Sequence, residues 1–184
     1  MAKLKGKLKD KKRKSRLKEE KDRKSIRKNR LLDLIRTFND PVLSHVCEDV
    51  RKTEDKFFIY DMISVLRVAK DGVGLAANQI GVAKNVFVML NKLLPGKVNV
   101  FINPVVMPHQ LMEMTTYKEG CLSYPGFYYD IHRFKEVKIA YEDIDFVHHE
   151  KLFTGLQSIV VQHEMEHLIG FCKVGNLWKQ ERIK

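Results

Sequence analysis

Long apolar runs are the first thing this chain lacks. No stretch of its 184 residues approaches the roughly 18 consecutive apolar positions of a bilayer span, which excludes an integral membrane protein. Cysteine is scarce too. Cys47, Cys121 and Cys172 are odd in number and too few for a disulfide scaffold, so a reducing compartment with some thiol free for chemistry fits better. The first 30 residues have little that is apolar, only Met1, Ala2, Leu4, Leu8, Leu17 and Ile26. They cannot bury a face, so 1–30 reads as a basic, disordered tail or a solvated, transient helix. The segment also lacks the apolar core of a secretory signal. Its acids Asp10, Glu19, Glu20 and Asp22, with only two serines, argue against an organelle transit peptide. The expected location is therefore the cytoplasm, with an organelle as the alternative.

What is present divides sharply by position. The formal net charge is +11, yet residues 1–30 alone hold 16 Lys+Arg against 4 Asp+Glu, a net of +12. That leaves 18 basic and 19 acidic residues over 31–184, a net of −1. Any attraction to nucleic acid belongs to the tail and says nothing about an active site. The near-neutral remainder reads as one globular unit, and with 44% hydrophobic residues overall the chain can bury a real core.

Asn39-Asp40-Pro41 marks a turn, and residues 57–70 predict a helix, with Phe58, Met62, Val65, Leu66 and Ala69 spaced by three and four. Asn85–Leu90, Val98–Ile102, Glu136–Tyr141 and His148–Phe153 read as strands, rich in β-branched and aromatic residues. Leu156–Ile169 returns to a helical period and stops at Gly170. Strands between two helices, without β-α-β alternation or internal repeats, give an α+β class. Mostly antiparallel strands would pack around the C-terminal helix.

That helix carries Gln162-His163-Glu164-Met165-Glu166-His167. Histidines four residues apart lie one above the other on one helix face, so both imidazoles reach one metal ion. Glu164 then sits beside the ion without ligating it and can take a proton from water. The bland alternative is a pair of structural histidines, but two histidines and a carboxylate on so apolar a helix are costly without a partner. Five positions are weighed for the third ligand. A metzincin pattern needs a ligand at 173, which is Lys173, and a thermolysin-like site needs a later glutamate, for which Glu181 is a poor candidate. Cys172 is nine residues past His163 and would point away if the helix ran on so far. Cys47 reads as a small core residue. Cys121 remains, on a loop beside Gly120, and a Cys-His-His set leaves one position open for water. A further stretch, Gly72-Val73-Gly74-Leu75-Ala76-Ala77-Asn78-Gln79, is either a helix-to-strand turn or a bare backbone against which an extended ligand lies.

Together these pieces resemble the peptide deformylase family, whose motifs G-x-G-L-A-A-x-Q, E-G-C-L-S and Q-H-E-x-D-H match positions 72–79, 119–123 and 162–167. Asp40-Pro41-Val42-Leu43, Ile102-Asn103-Pro104, Pro125 and Arg133 add to a likeness covering about residues 31–178. Glu166 departs from the family's aspartate, the tail has no counterpart, and no further helix is expected between the metal helix and Lys184.

The resemblance implies a metal-dependent hydrolase that removes formyl from the N-terminal methionine of nascent polypeptides. Cys121, His163 and His167 would hold one divalent ion, Fe²⁺ first, with Zn²⁺, Ni²⁺ or Co²⁺ as substitutes. Glu164 would be the general base, and the Gln79 amide with the Leu122 backbone N–H would stabilise the oxyanion. The peptide would add as a β-strand against Gly74, with Ile159 and Val160 lining the methionine pocket or serving as plain core. Glu119, Glu166 and Arg133 would buttress the ligands, Glu119 and Arg133 having a surface ion pair as their alternative. The expected partners are formylmethionyl peptides and, through the tail, the ribosome or its RNA. A monomer is expected. Two rival classes are a zinc endopeptidase and a non-catalytic RNA-binding module.

Overall fold

Val86, Phe87, Val88 and Met89 are all buried because strand β2 (Val86–Leu90) has a helix on each face. Side chains alternate along a strand, so Val86 and Val88 point one way and Phe87 and Met89 the other. The first pair joins Val100 and Ile102 of β3 (Val98–Val106) beneath α2 (Phe57–Val68), which supplies Ile59, Met62, Val65 and Leu66. The second pair joins Phe101, Ile139 and Phe153 beneath α3 (Gly155–Leu168), which supplies Val160, Val161 and Leu168. Phe87 stacks on Phe101 at 4.3 Å between ring centroids. A continuous apolar run, rather than alternation, is what a strand covered on both faces requires.

The computed structural model describes residues 2–53, 56–91, 94, 96–108 and 113–183, with side chains from residue 16 onward; Met1 and Lys184 lie outside the described residues. Five strands form one antiparallel sheet in the order β1 (Gly74–Ala76), β2, β3, β6 (Glu136–Glu142) and β7 (His148–Thr154). Strands β4 (Met114–Cys121) and β5 (Tyr124–Phe134) form a separate antiparallel hairpin. The α+β class holds, and the expected strands and helices lie within a few residues of their predicted limits. No helix among the described residues is long and apolar enough to cross a membrane.

The hairpin strands β4 and β5 were not among the expected elements, and three further segments bear on the readings above. Ala2–Leu32 is one helix, α1, in keeping with the solvated-helix alternative and not with the disordered one. Its Lys, Arg, Glu and Leu content favours helix, no proline interrupts it, and Glu20 pairs with Lys24 one turn on at 2.8 Å. Residues 16–30 are exposed, and only Leu31, Leu34 and Ile35 at and beyond its end pack on the α2 core. Gly74–Ala76, read as a turn or a bare backbone, is a strand at the sheet edge, paired through Gly74 with Met89 and Ala76 with Phe87. Finally, Lys173–Ile183 forms a helix, α4, where none was expected.

Helix α4 fastens the hairpin to the rest of the fold. Trp178 is 6% exposed, with ring centroids 5.1 Å from Phe38 and 5.5 Å from Tyr124. Trp178→Ala is expected to cost about 3–5 kcal/mol in urea unfolding. A loss under about 1 kcal/mol would mean that α4 is not part of the cooperative unit.

Candidate metal centre and cleft

Two elements bring the predicted ligands together. Helix α3 supplies His163 and His167, with ring centroids 5.2 Å apart, and the end of β4 supplies Cys121. Cys121 Sγ lies 3.2 Å from His167 Nε2. A fourth donor joins them. The ligand atoms of Cys121, His163, His167 and Cys172 all lie within 4.8 Å of one another. Cys172 was expected to point away, on the premise of a continuing helix. Instead α3 ends at Leu168, and Gly170 at φ +70° closes it: Gly170 N–H donates to the His167 carbonyl and Phe171 N–H to the Glu166 carbonyl. This left-handed glycine stop reverses the chain and returns Cys172 to the histidines. The glycine after Leu168 was the available signal. Cys47, by contrast, lies with the sheet core.

A buried ion network orients His163. Its Nδ1 is 2.8 Å from Glu119 Oε2, leaving Nε2 for the cluster. Arg133, 1% exposed, donates from Nε and Nη2 to both Glu119 oxygens at 2.8 Å each, and from Nη1 and Nη2 to Glu166. Glu119 and Arg133 are buried, which disposes of the surface-ion-pair alternative. Glu166 Oε2 also accepts from Lys173 N–H at 3.2 Å, so this glutamate joins Arg133 to the first turn of α4. Burial works against ionising Glu119, but Arg133 and His163 outweigh it and hold its carboxyl below the usual range.

The donor set fits a cation. Burial pulls the His163 pKa down, yet the Glu119 hydrogen bond and the negative charge on Cys172, Glu164 and Glu119 carry it to about 9. The hydrogen bond from Cys121, with His167 and His163 nearby, holds Cys172 far below the ordinary thiol range. Burial and the Cys172 thiolate push Cys121 up. The surroundings thus favour positive charge where four donor atoms converge. Buried Glu164 Oε2 and His167 Nδ1 also have no hydrogen-bond partner.

Beside the cluster lies a cleft of about 350 Å³, lined by Gly74, Gln79, Cys121, Leu122, Ile159, Val160, His163 and Glu164 among others. Each predicted substrate and oxyanion residue therefore faces it. Gln79 is only 2% exposed. Its Oε1 accepts from Ala76 N–H at 2.8 Å, so its Nε2 points at Ser123 Oγ, 3.1 Å away, and Cys121 Sγ, 3.4 Å away. A β-carbon at Gly74 would overlap the Glu164 carboxyl and force it to move, so glycine keeps that carboxyl where it is. Burial raises the pKa of Glu164, opposed by His163 and His167. Sequence reasoning passed over three polar supports. Ser123 receives Gln79, Asn78 Nδ2 donates to the His167 carbonyl at 2.6 Å, and Gln162 clamps α3 to Phe134 at both its carbonyl and its N–H. Asn78 and Gln162 lay inside the quoted motifs, and Ser123 ended one. The ligands the protease rivals need are engaged elsewhere: Lys173 Nζ with the His132 carbonyl at 3.2 Å, and Glu181 with the Tyr129 hydroxyl at 2.8 Å.

Arg133→Met would leave Glu119 and Glu166 as unpaired buried carboxylates, at an expected cost of about 3–5 kcal/mol by chemical denaturation. Metal retention should fall about 10- to 100-fold in chelator competition, because the group orienting His163 loses its holder. A variant as stable and as metal-retentive as the parent would refute the network's role.

Comparison with known proteins agrees with this geometry. The family model described as polypeptide deformylase matches residues 32–182, which leaves nearly all of α1 outside. A peptide deformylase of Maricaulis maris is 36% identical over 153 residues, 80% of this chain and 86% of that one. The crystal structure of peptide deformylase from Thermotoga maritima superposes with a TM-score of 0.68 at 35% identity, covering 75% of this chain and 92% of that one. One from Plasmodium falciparum, at 29% identity, gives 0.70 over 81% and 92%. With the motif residues gathered around one cleft and the match spanning the whole globular part, the chain belongs to the peptide deformylase family.

Proposed function

We propose that this chain removes the formyl group from the N-formylmethionine of nascent polypeptides, using Cys121, His163 and His167 to hold a divalent ion. The observation that carries this is the buried Glu164 carboxyl, set between the donor cluster and the edge of β1 in one cleft. Fe²⁺ is the proposed ion, on family likeness. When bound, it polarises the formyl carbonyl and makes water more acidic.

The remaining work falls to the protein. Strand β1 is the last strand of its sheet, so an extended peptide adds alongside Gly74 and brings its first residues over Glu164. Ile159 and Val160, between the sheet core and the cleft, offer the methionine side chain an apolar wall. Glu164 takes the proton of the attacking water and returns it to the departing amine. Burial raises the pKa of this carboxyl and so makes the carboxylate a stronger base than usual. Gln79 Nε2 turns one proton from the long Cys121 contact to the substrate oxygen, and the Leu122 N–H supplies a second donor. Such donors are each worth about 3 kcal/mol in comparable sites. A formyl group is the smallest acyl group, so a cleft closed around it rejects acetyl. The cleft is complete within one chain, which supports a monomer, and the three free thiols support the cytoplasm.

The test is formate release from a formyl-Met peptide by anaerobically reconstituted protein. Glu164→Gln should retain the ion and lose about 100-fold or more in kcat, because an amide does not accept the proton. A near-parental rate would remove Glu164 as the base. If the protein instead cleaves casein without releasing formate, it is an endopeptidase.

The ribosome is the proposed partner of α1. Basic throughout, and exposed over residues 16–30, this helix suits the RNA phosphates near the site where chains emerge. Deleting residues 1–30 should abolish low-salt co-sedimentation with ribosomes and leave kcat/KM on a short peptide nearly intact. Undiminished co-sedimentation would show that α1 is not the anchor.

A further inference from the structure

We propose that Cys172 Sγ is a fourth protein ligand of the ion, completing a two-cysteine, two-histidine set instead of the three-ligand set read from the sequence motifs. The assignment rests on the metal-centre reading above and extends it to a residue that no motif contains. Metal–sulfur bonds of about 2.3 Å and metal–nitrogen bonds of about 2.0 Å place neighbouring ligand atoms about 3.5 Å apart around a tetrahedral ion. The four donor atoms already lie within 4.8 Å of one another, so a small inward movement of side chains completes the shell. They are the only such group among the described residues.

The backbone holds Cys172 in this place from both sides. On one side the Gly170 turn fixes the reversal, and a β-carbon at 170 would run into the Ser44 carbonyl carbon at 2.8 Å. On the other, the Cys172 carbonyl accepts from Asn176 N–H at 2.9 Å in the opening turn of α4. Val174 and Trp178 anchor that helix in the same cluster as Cys121 and Cys172.

The direction of approach explains how a fourth ligand coexists with a substrate site. Cys121, His163 and Glu164 line the cleft, whereas His167 and Cys172 do not. Cys172 therefore reaches the ion from behind, away from Gly74 and Gln79. The cleft face stays clear for the peptide, and water or substrate enters by expanding the shell to five ligands or by displacing Cys172. Two thiolates also shift the set toward softer ions and grip them more firmly than one does.

The full chain, kept reduced and loaded with Co²⁺, provides the test. X-ray absorption at the cobalt edge should count two sulfur neighbours in the parent and one in Cys172→Ser. The sulfur-to-cobalt charge-transfer band should fall to about half, and cobalt loss to a chelator should quicken about tenfold or more. Cys47→Ser should keep both sulfurs and the full band. Cobalt bound with a single sulfur in the parent would overturn the assignment and leave the metal-centre reading standing. A parent chain that takes up no cobalt would overturn both. The parent's sulfur count decides the matter even if the Cys172 variant fails to fold.

Discussion

Arg133 holds a full positive charge at a position almost without solvent, and the site is arranged around the need to neutralise it. Two carboxylates do so, one from each side: Glu119 on β4 and Glu166 on α3. Taking those charges out of water is expensive, and only near-ideal geometry repays the expense. Here the repayment is positional. Once Glu119 is fixed by Arg133, its second oxygen presents a single acceptor to His163, and the imidazole loses its freedom to rotate. The other end of the network, through Glu166, reaches the first N–H of α4. One guanidinium therefore ties the hairpin, the ligand helix and the last helix together.

The cleft depends on a second constraint, this one steric. Glu164 and the edge of β1 approach so closely that a side chain at position 74 would have to displace the carboxyl. The catalytic carboxyl is thus held against backbone instead of against a flexible neighbour. Gln79 follows the same pattern, its amide oriented by a main-chain N–H three residues earlier. Polar groups positioned by main chain move less than groups positioned by other side chains, which suits a site that must stabilise developing charge without reorganising.

Helix α3, the strands covered on both faces and the joint occurrence of three short motifs were legible because each is a local pattern. Histidine spacing puts two imidazoles on one face whatever surrounds them. The hairpin, β1 and α4 were harder to read for definite reasons. Strand β1 has three residues, too few to show a period, and its motif is rich in small side chains that look like a turn. The hairpin strands are exposed on much of both faces, so hydrophobic alternation is weak from Met114 to Lys118. Cys172 was misplaced by extending α3 past its glycine stop, although Gly170 was already visible as that stop. Four residues of helix geometry were assumed where the chain turns back. The long α1 was read as too polar to bury a face, as a disordered tail or a solvated helix, and among its residues with described side chains only those at its C-terminal end pack on the core.

The shortness of β1 has a consequence for how this protein behaves in a crowded solution. An unpaired sheet edge is a template on which any extended chain can add, and such edges are where soluble proteins begin to aggregate. This molecule cannot cover its edge with a helix or a bulge without closing its own cleft. Limiting the open strand to Gly74–Ala76 keeps it too brief to seed a sheet, while leaving room for the first residues of a peptide.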